Sequence, residues 1–185
     1  MDGYLLAQQL VNGLVLGCVY GLIASGYSLV YGILGMINFA HGEVYMLSAY
    51  LTAICLALLG LLGVGWVPLL LLLTLILVMA WTALHVWVIE RIAYRPLRRA
   101  PRLAPLISAI GVSLLLQEYA RLSQGARPQS VPTLLPGEPL RLGSEAGFVQ
   151  ISQTQALIVV TTVLCVVALT VLFQRSQFGR SARAL

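Results

Sequence analysis

Long stretches without an ionised side chain are the feature that most constrains this sequence. No aspartate, glutamate, lysine or arginine occurs in the 40 residues between Asp2 and Glu43, or in the 46 residues between Glu43 and Glu90. A membrane-spanning helix needs only about 20 consecutive apolar residues. Each stretch is therefore long enough for at least one crossing of a membrane.

The composition extends this argument to the whole chain. Hydrophobic residues make up 59% of the 185 positions and charged residues 9%, whereas a soluble domain carries about 25% charged residues. We therefore expect an all-α integral membrane protein that forms one domain over 1–185. Its hydrophobic stretches predict five transmembrane helices, at about 5–32, 44–62, 67–89, 103–119 and 155–173.

The placement of the basic residues predicts topology. The net charge is +5, and the arginines cluster at 91–102 and again at 175–183. Basic patches beside hydrophobic spans mark the cytoplasmic side, so this charge indicates membrane orientation and not nucleic-acid binding. We expect a cytoplasmic Arg-rich loop at 91–102 and a further cytoplasmic segment at 175–185. The proline- and glycine-rich stretch 123–152 then lies outside, with short hairpin strands around 140–151, and counting back through three crossings places the N-terminus outside.

The basic residues also exclude some chemistry. All eleven are arginine, and the sequence has no lysine. A Walker A phosphate-binding loop requires its lysine, so any ATP-driven work must be done by another chain.

Three smaller patterns carry structural predictions. Glu118 and Arg121 are three residues apart and could pair on a helix. His85 is alone on an apolar helix, as expected of a histidine satisfied by the core or the interface.

Small residues recur every four positions in the first span, which puts them on one helix face that a neighbouring helix can approach closely. We assign this helix-packing face to Gly13, Gly17, Gly21 and Ser25.

The candidate site is the octet M-I-N-F-A-H-G-E at 36–43, which places Asn38, His41 and Glu43 between the first two spans. Nearby glycines predict a break in the helix, and irregular backbone at membrane depth occurs where protein covers it or where it lines a cavity. A metal site lacks ligands, since these side chains have no His or Cys group to complete the shell. An enzyme site is not indicated either, because His41 and Glu43 have no nucleophile beside them in the sequence. Two hypotheses remain open: a structural corner that caps helix ends, and part of a solute path built from broken helices.

The segment N-G-L-V-L-G-C-V-Y-G-L-I-A-S-G-Y-S-L-V-Y-G-I-L-G-M-I-N-F-A-H-G-E closely resembles the start of LivH-type permeases. The similarity continues through I-E-R-I-A-Y-R-P-L-R and L-I-S-A-I-G-V-S-L-L-L-Q-E-Y to F-G-R-S-A-R-A. These permeases are membrane subunits of bacterial ABC importers for branched-chain amino acids.

The resemblance implies a multi-pass permease subunit of the inner membrane that is not itself an enzyme. It would bind no cofactor, while partner subunits use ATP. The implied partners are a second homologous permease, two ATPase subunits and an extracytoplasmic amino-acid-binding protein, besides membrane lipid. Of the two hypotheses for the octet, we favour the solute path and expect Asn38, His41 and Glu43 to form the translocation path or gate. The resemblance also marks Gly179, Arg180 and Arg183 as the start of the segment that couples to the ATPase.

Two alternatives follow from the same resemblance. Related permeases carry urea and short amides, so the solute could belong to that class. Family members also continue beyond the matching region with a coupling helix and further spans. This chain would then be a fragment or a truncated membrane protein, and we expect that it does not transport by itself.

Overall fold

The computed structural model describes residues 2–35, 37–97, 100–101, 103–125, 137–144 and 147–175. Within these ranges the chain forms five long helices, each long and apolar enough to cross a membrane. The all-α prediction with five spans is confirmed. The helices are α1 (Asp2–Leu34), α2 (His41–Leu61), α3 (Val67–Ile89), α4 (Leu103–Gln124) and α5 (Gln153–Arg175).

The turn between α2 and α3 shows why these two helices end where they do. Gly63 has a φ of +84°, a conformation that costs glycine little because it has no Cβ. Its N–H donates to the Gly60 carbonyl at 3.0 Å, and the Val64 N–H donates to the Leu59 carbonyl at 3.1 Å. This bonding satisfies the last carbonyls of α2. Pro68 lies in the first turn of α3, where its missing N–H costs no helical hydrogen bond.

The segment predicted as an Arg-rich loop at 91–102 begins as helix. A π-helical turn at Glu90–Tyr94 extends α3, and a 3-10 turn follows at Arg95–Leu97. Pro96 has no N–H to donate, so the regular helical ladder must change close to it. Hydrophobic helix also extends further than expected at α4, which ends at Gln124 and not near Tyr119. The cytoplasmic location of this segment stays a prediction.

The chain divides into two compact units. The first unit contains α1, α5 and a hairpin whose strands, β1 (Leu140–Ser144) and β2 (Gly147–Ile151), pair antiparallel. This confirms the hairpin expected around 140–151. The side chain of Gln8 ties the hairpin to the start of α1, because it donates to the Gln150 carbonyl at 3.0 Å and accepts from the Gln150 N–H at 2.7 Å. The first turns of α1 and the hairpin therefore lie at the same end of this unit.

The start of α5 is a capping box. The Ser152 hydroxyl accepts from the Gln155 N–H at 3.1 Å, and the Gln155 side chain accepts in return from the Ser152 N–H at 2.9 Å. This reciprocal pair satisfies two donors at the helix start. Gln155 also donates to the Asn12 side chain at 3.1 Å, which joins α5 to α1.

The second unit contains α2, α3 and α4. Helix α2 packs against both of the others, and a hydroxyl contact of 3.0 Å between Ser48 and Thr82 joins α2 to α3. Most large apolar side chains of the described residues remain exposed. In water such a surface would drive aggregation, whereas in a bilayer it faces lipid.

Two of the smaller sequence predictions also lie on these helices. Glu118 and Arg121 form an ion pair at 2.7 Å on α4, as their spacing predicted. The His85 ring contacts the helix that carries it: its Nδ1 lies 3.0 Å from the Trp81 carbonyl, and the two rings are 5.2 Å apart.

Candidate functional site

The helix is interrupted at residues 37–40 of the octet, as the neighbouring glycines predicted. Helix α1 ends at Leu34 and α2 begins at His41. Gly35 follows α1 with a φ of +65°, which lets the chain leave the helix in the left-handed region. Residues 37–40 then form an irregular corner.

Asn38 organises the backbone of this corner. Its side-chain Oδ1 accepts from the Ala40 N–H at 3.1 Å, and its backbone carbonyl accepts from the His41 N–H at 3.1 Å. Asparagine commonly closes turns in this way. The two bonds satisfy amide groups at the start of α2 that have no partner within the helix. Asn38 therefore supplies two hydrogen-bond acceptors just before α2, whose N-cap residue is Ala40.

A second contact fixes the corner to α3. The Tyr94 hydroxyl donates to Asn38 Oδ1 at 2.7 Å, and Tyr94 is only 5% exposed. Tyr94 lies in the π-helical turn, whose backbone is also joined to α4 through the Ser108 hydroxyl and the Ala93 carbonyl, 3.1 Å apart. The corner thus rests on the junction of α3 and α4.

Glu43 makes its contacts with α4. Its Oε1 accepts from the Ser113 hydroxyl at 3.2 Å and from the Gln117 amide at 2.6 Å. Ser113 and Gln117 are four residues apart, so both lie on the same face of α4. The glutamate is half-buried, and both of these donors are neutral.

These contacts show where the corner lies along α4. Ser113 is the eleventh of the 22 residues of α4, which places it about 15 Å along the helix at a rise of 1.5 Å per residue. A 22-residue helix is close to the length that spans the hydrocarbon layer. The Glu43 carboxylate therefore lies beside the middle of α4, whereas Glu43 itself is the third residue of α2.

Apolar packing holds the start of α2 at this position on α4. Ala40 is fully buried, and it forms a cluster with Val44 and Leu116. Around it pack the partly buried side chains of Leu47, Ile89 and Val112. The polar corner is consequently backed by a close-packed apolar cluster contributed by all three helices of this unit.

The three predicted site residues are placed in one corner but have different contacts. Asn38 accepts from the Ala40 N–H and from the Tyr94 hydroxyl, whereas Glu43 accepts from side chains of α4. His41 is the half-buried first residue of α2. Among the described residues, no group of three His, Cys, Asp or Glu side chains could hold a metal ion.

Sequence reasoning missed Tyr94, Ser113 and Gln117. Their separation from the octet is large, since Ser113 and Gln117 are 70 and 74 residues from Glu43. The one available signal was the spacing of Ser113 and Gln117 by four residues, which puts both on one face of the helix. That pattern indicates a polar face but not what the face contacts.

The predicted packing face of α1 stays a prediction. Ser25 donates to the Gly21 carbonyl of its own helix at 2.8 Å. Among the described residues, no atom outside the helix backbone lies within 4 Å of a Cβ built at Gly13, Gly17 or Gly21. The face is therefore open within the described chain. The predicted coupling residues Gly179, Arg180 and Arg183 lie outside the described residues.

Comparison with known proteins adds the family. Residues 9–185 match the family model described as the branched-chain amino acid transport system / permease component. The chain belongs to this permease family. The family and the five apolar helices make it a multi-pass protein of the inner membrane.

Curated relatives match nearly the whole chain. The high-affinity branched-chain amino acid transport system permease protein BraD of Pseudomonas aeruginosa is 50% identical over 177 residues, which cover 96% of this chain and 58% of that relative. LivH proteins of Salmonella typhimurium and Escherichia coli K12, which carry the same description, are each 44% identical, with the same coverage. The chain thus spans under two thirds of the length of these relatives. No solved structure matches it.

Proposed function

We propose that this chain is a membrane-spanning part of the permease subunit of an ABC importer for leucine, isoleucine and valine. The observation that carries the proposal is the 50% identity to a branched-chain amino acid permease across 96% of the chain. The five apolar helices supply the membrane-crossing architecture that such a subunit needs.

Under this proposal, ATP is hydrolysed by partner chains. The sequence has no lysine and so cannot build a Walker A loop. A second homologous permease, two ATPase subunits and an extracytoplasmic binding protein complete the importer. Gly179, Arg180 and Arg183 belong to the segment that meets the ATPase.

We place the translocation path or gate at the corner formed by Asn38, His41 and Glu43. Broken helices near the middle of the membrane are a recurring device for solute binding in transporters. The hydrogen bonds that Glu43 makes with α4 support this location, as do the Asn38 bonds that hold the break in shape. Ionisable side chains in a membrane domain are functional candidates because burying them there is costly.

The test is complementation with a chimera. This chain replaces the matching region of BraD and is followed by the rest of that relative, in a Pseudomonas aeruginosa strain that lacks its own BraD. We expect restored uptake of radiolabelled leucine that depends on ATP and on the binding protein. The matched negative control has an inactive ATPase subunit.

The solute and the role of the corner are tested in the same strain. Uptake of urea or acetamide in place of the branched-chain amino acids would move the proposal to the amide class. A chimera that reaches the membrane at normal levels and assembles with the ATPase, but takes up none of these solutes, would contradict a transport function.

A further inference from the structure

The Glu43 carboxylate is held by neutral groups on one side only. In the described part of the chain, both of its hydrogen bonds are made to Oε1, from Ser113 at 3.2 Å and from Gln117 at 2.6 Å. Neutral donors orient a carboxylate but supply no opposite charge. The second oxygen, Oε2, accepts no hydrogen bond from the described residues and can still accept one from another donor.

The surroundings leave the Glu43 side chain partly exposed. Glu43 is half-buried and Gln117 is exposed, whereas the neighbouring Ala40 has no exposed surface. The carboxylate therefore lies at the rim of the apolar cluster and not inside it. An apolar wall beside one fixed acceptor suits a solute that carries N–H donors next to an aliphatic group.

We propose that Glu43 is a solute-binding residue that accepts hydrogen bonds from the N–H groups of the transported molecule, with Ser113 and Gln117 as its positioning residues. This inference rests on the proposed transport function and names the chemistry of its site. For leucine the donor is the α-ammonium group, which also complements the charge of the carboxylate. Charge-assisted hydrogen bonds of this kind are about twice as strong as neutral ones.

The binding chemistry is tested by protection from a hydrophobic carbodiimide, which converts accessible membrane carboxyl groups to stable N-acylureas. The sample is the importer complex that contains the chimera, without binding protein or nucleotide, and labelling of each glutamate is measured by mass spectrometry. Leucine is compared with 4-methylpentanoate, which has the same aliphatic group and carboxylate but no ammonium. Glu118, which is exposed and paired with Arg121, serves as the internal control.

We expect millimolar leucine to slow labelling of Glu43 at least about fivefold, because a bound ammonium group covers the carboxylate. Labelling of Glu118 should not change, and 4-methylpentanoate should protect neither residue. Equal protection by both compounds, or none by leucine, would overturn the inference. If the same preparation still transports leucine, the proposed function survives that result. Absence of all transport in the unmodified complex would instead refute the proposed function.

The positioning role is tested by transport kinetics. Gln117→Leu should lower the maximal rate of leucine uptake about tenfold, since a hydrogen bond to a charged group is lost. The binding-protein concentration that gives half the maximal rate should not change. Ser113→Thr keeps the hydroxyl and should retain uptake, whereas Ser113→Ala should not. Glu118→Gln, which removes a surface charge from the same helix, is the matched control.

A double variant separates positioning from general damage. If Gln117 acts through Glu43, then Glu43→Gln with Gln117→Leu should be no slower than Glu43→Gln alone. Multiplied losses at equal membrane levels would show that Gln117 acts independently and would remove its positioning role. Wild-type uptake by Glu43→Gln would remove the binding role of Glu43.

Discussion

The contact between Tyr94 and Asn38 gives the most direct prediction, because one hydrogen bond joins the helix break to α3. Tyr94→Phe removes the hydroxyl from a side chain that is only 5% exposed and breaks the 2.7 Å bond to Asn38 Oδ1. Asn38 Oδ1 still accepts from the Ala40 N–H at 3.1 Å, so no buried acceptor is left without a partner. We expect a loss of about 1 kcal/mol in the free energy of unfolding, the net contribution of one such bond.

Asn38→Ala is the more damaging partner change. It removes the acceptor for both the Tyr94 hydroxyl and the Ala40 N–H, and it leaves the hydroxyl buried. We expect a loss of about 2–3 kcal/mol, because an unsatisfied buried donor keeps its full desolvation penalty. The double variant should then lose about 1 kcal/mol less than the sum of the two single losses, and this difference measures their coupling.

The measurement is reversible unfolding of the purified chain in mixed micelles. The fraction of denaturing detergent is raised while helicity is followed by circular dichroism. Tyr45→Phe is the matched control, since Tyr45 lies on α2 with 48% of its surface exposed, and its effect should stay within about 0.5 kcal/mol. Unchanged stability of Tyr94→Phe, or strict additivity in the double variant, would refute the claim that this bond holds the corner.

Three further predictions concern packing and use the same unfolding assay. Ala40→Leu should lower the free energy of unfolding by about 1–3 kcal/mol, because the fully buried Ala40 leaves no room beside Val44 and Leu116. An unchanged unfolding midpoint would show that this cluster can open. Gly63→Ala should lower the free energy of unfolding by about 1–2 kcal/mol, because Gly63 has a positive φ of +84°. Gly60→Ala should be neutral or slightly stabilising, because Gly60 lies inside α2 with open space around its missing Cβ. Equal effects of the two changes would contradict this explanation. Thr74→Val should raise the free energy of unfolding by up to about 1 kcal/mol, since Thr74 Oγ1 is buried and has no hydrogen-bond partner among the described residues. Destabilisation would indicate that this hydroxyl has a partner.

The location of the helices could be predicted from the sequence. The expected third span, 67–89, coincides with α3, and the break at the octet lies between α1 and α2 as predicted. Both follow from local properties: the length of an apolar run, and glycines and prolines at its ends. The extension of α3 through Glu90–Tyr94 could not be predicted in this way. Arginine content gives the expected side of the membrane but does not determine backbone conformation.

The candidate site could be predicted only in part. Asn38, His41 and Glu43 are conspicuous because polar residues are rare in this chain, and their neighbouring glycines indicated a corner. Which groups meet them could not be predicted. Helices α2 and α3 are apolar on nearly all sides, so their sequences do not show which face packs on a neighbour.

The sequence alone determined where the five helices long and apolar enough to cross a membrane lie in the described chain, because apolar length and the absence of charge act within each segment. The tertiary structure decided that Glu43 lies beside the middle of α4 and is bound by Ser113 and Gln117. The physical reason is that any apolar helix face is stable against lipid, so the sequence does not show which face packs on a neighbouring helix. The position and the hydrogen-bond partners of the Glu43 carboxylate are therefore set by how α2, α3 and α4 pack around Ala40, Val44 and Leu116.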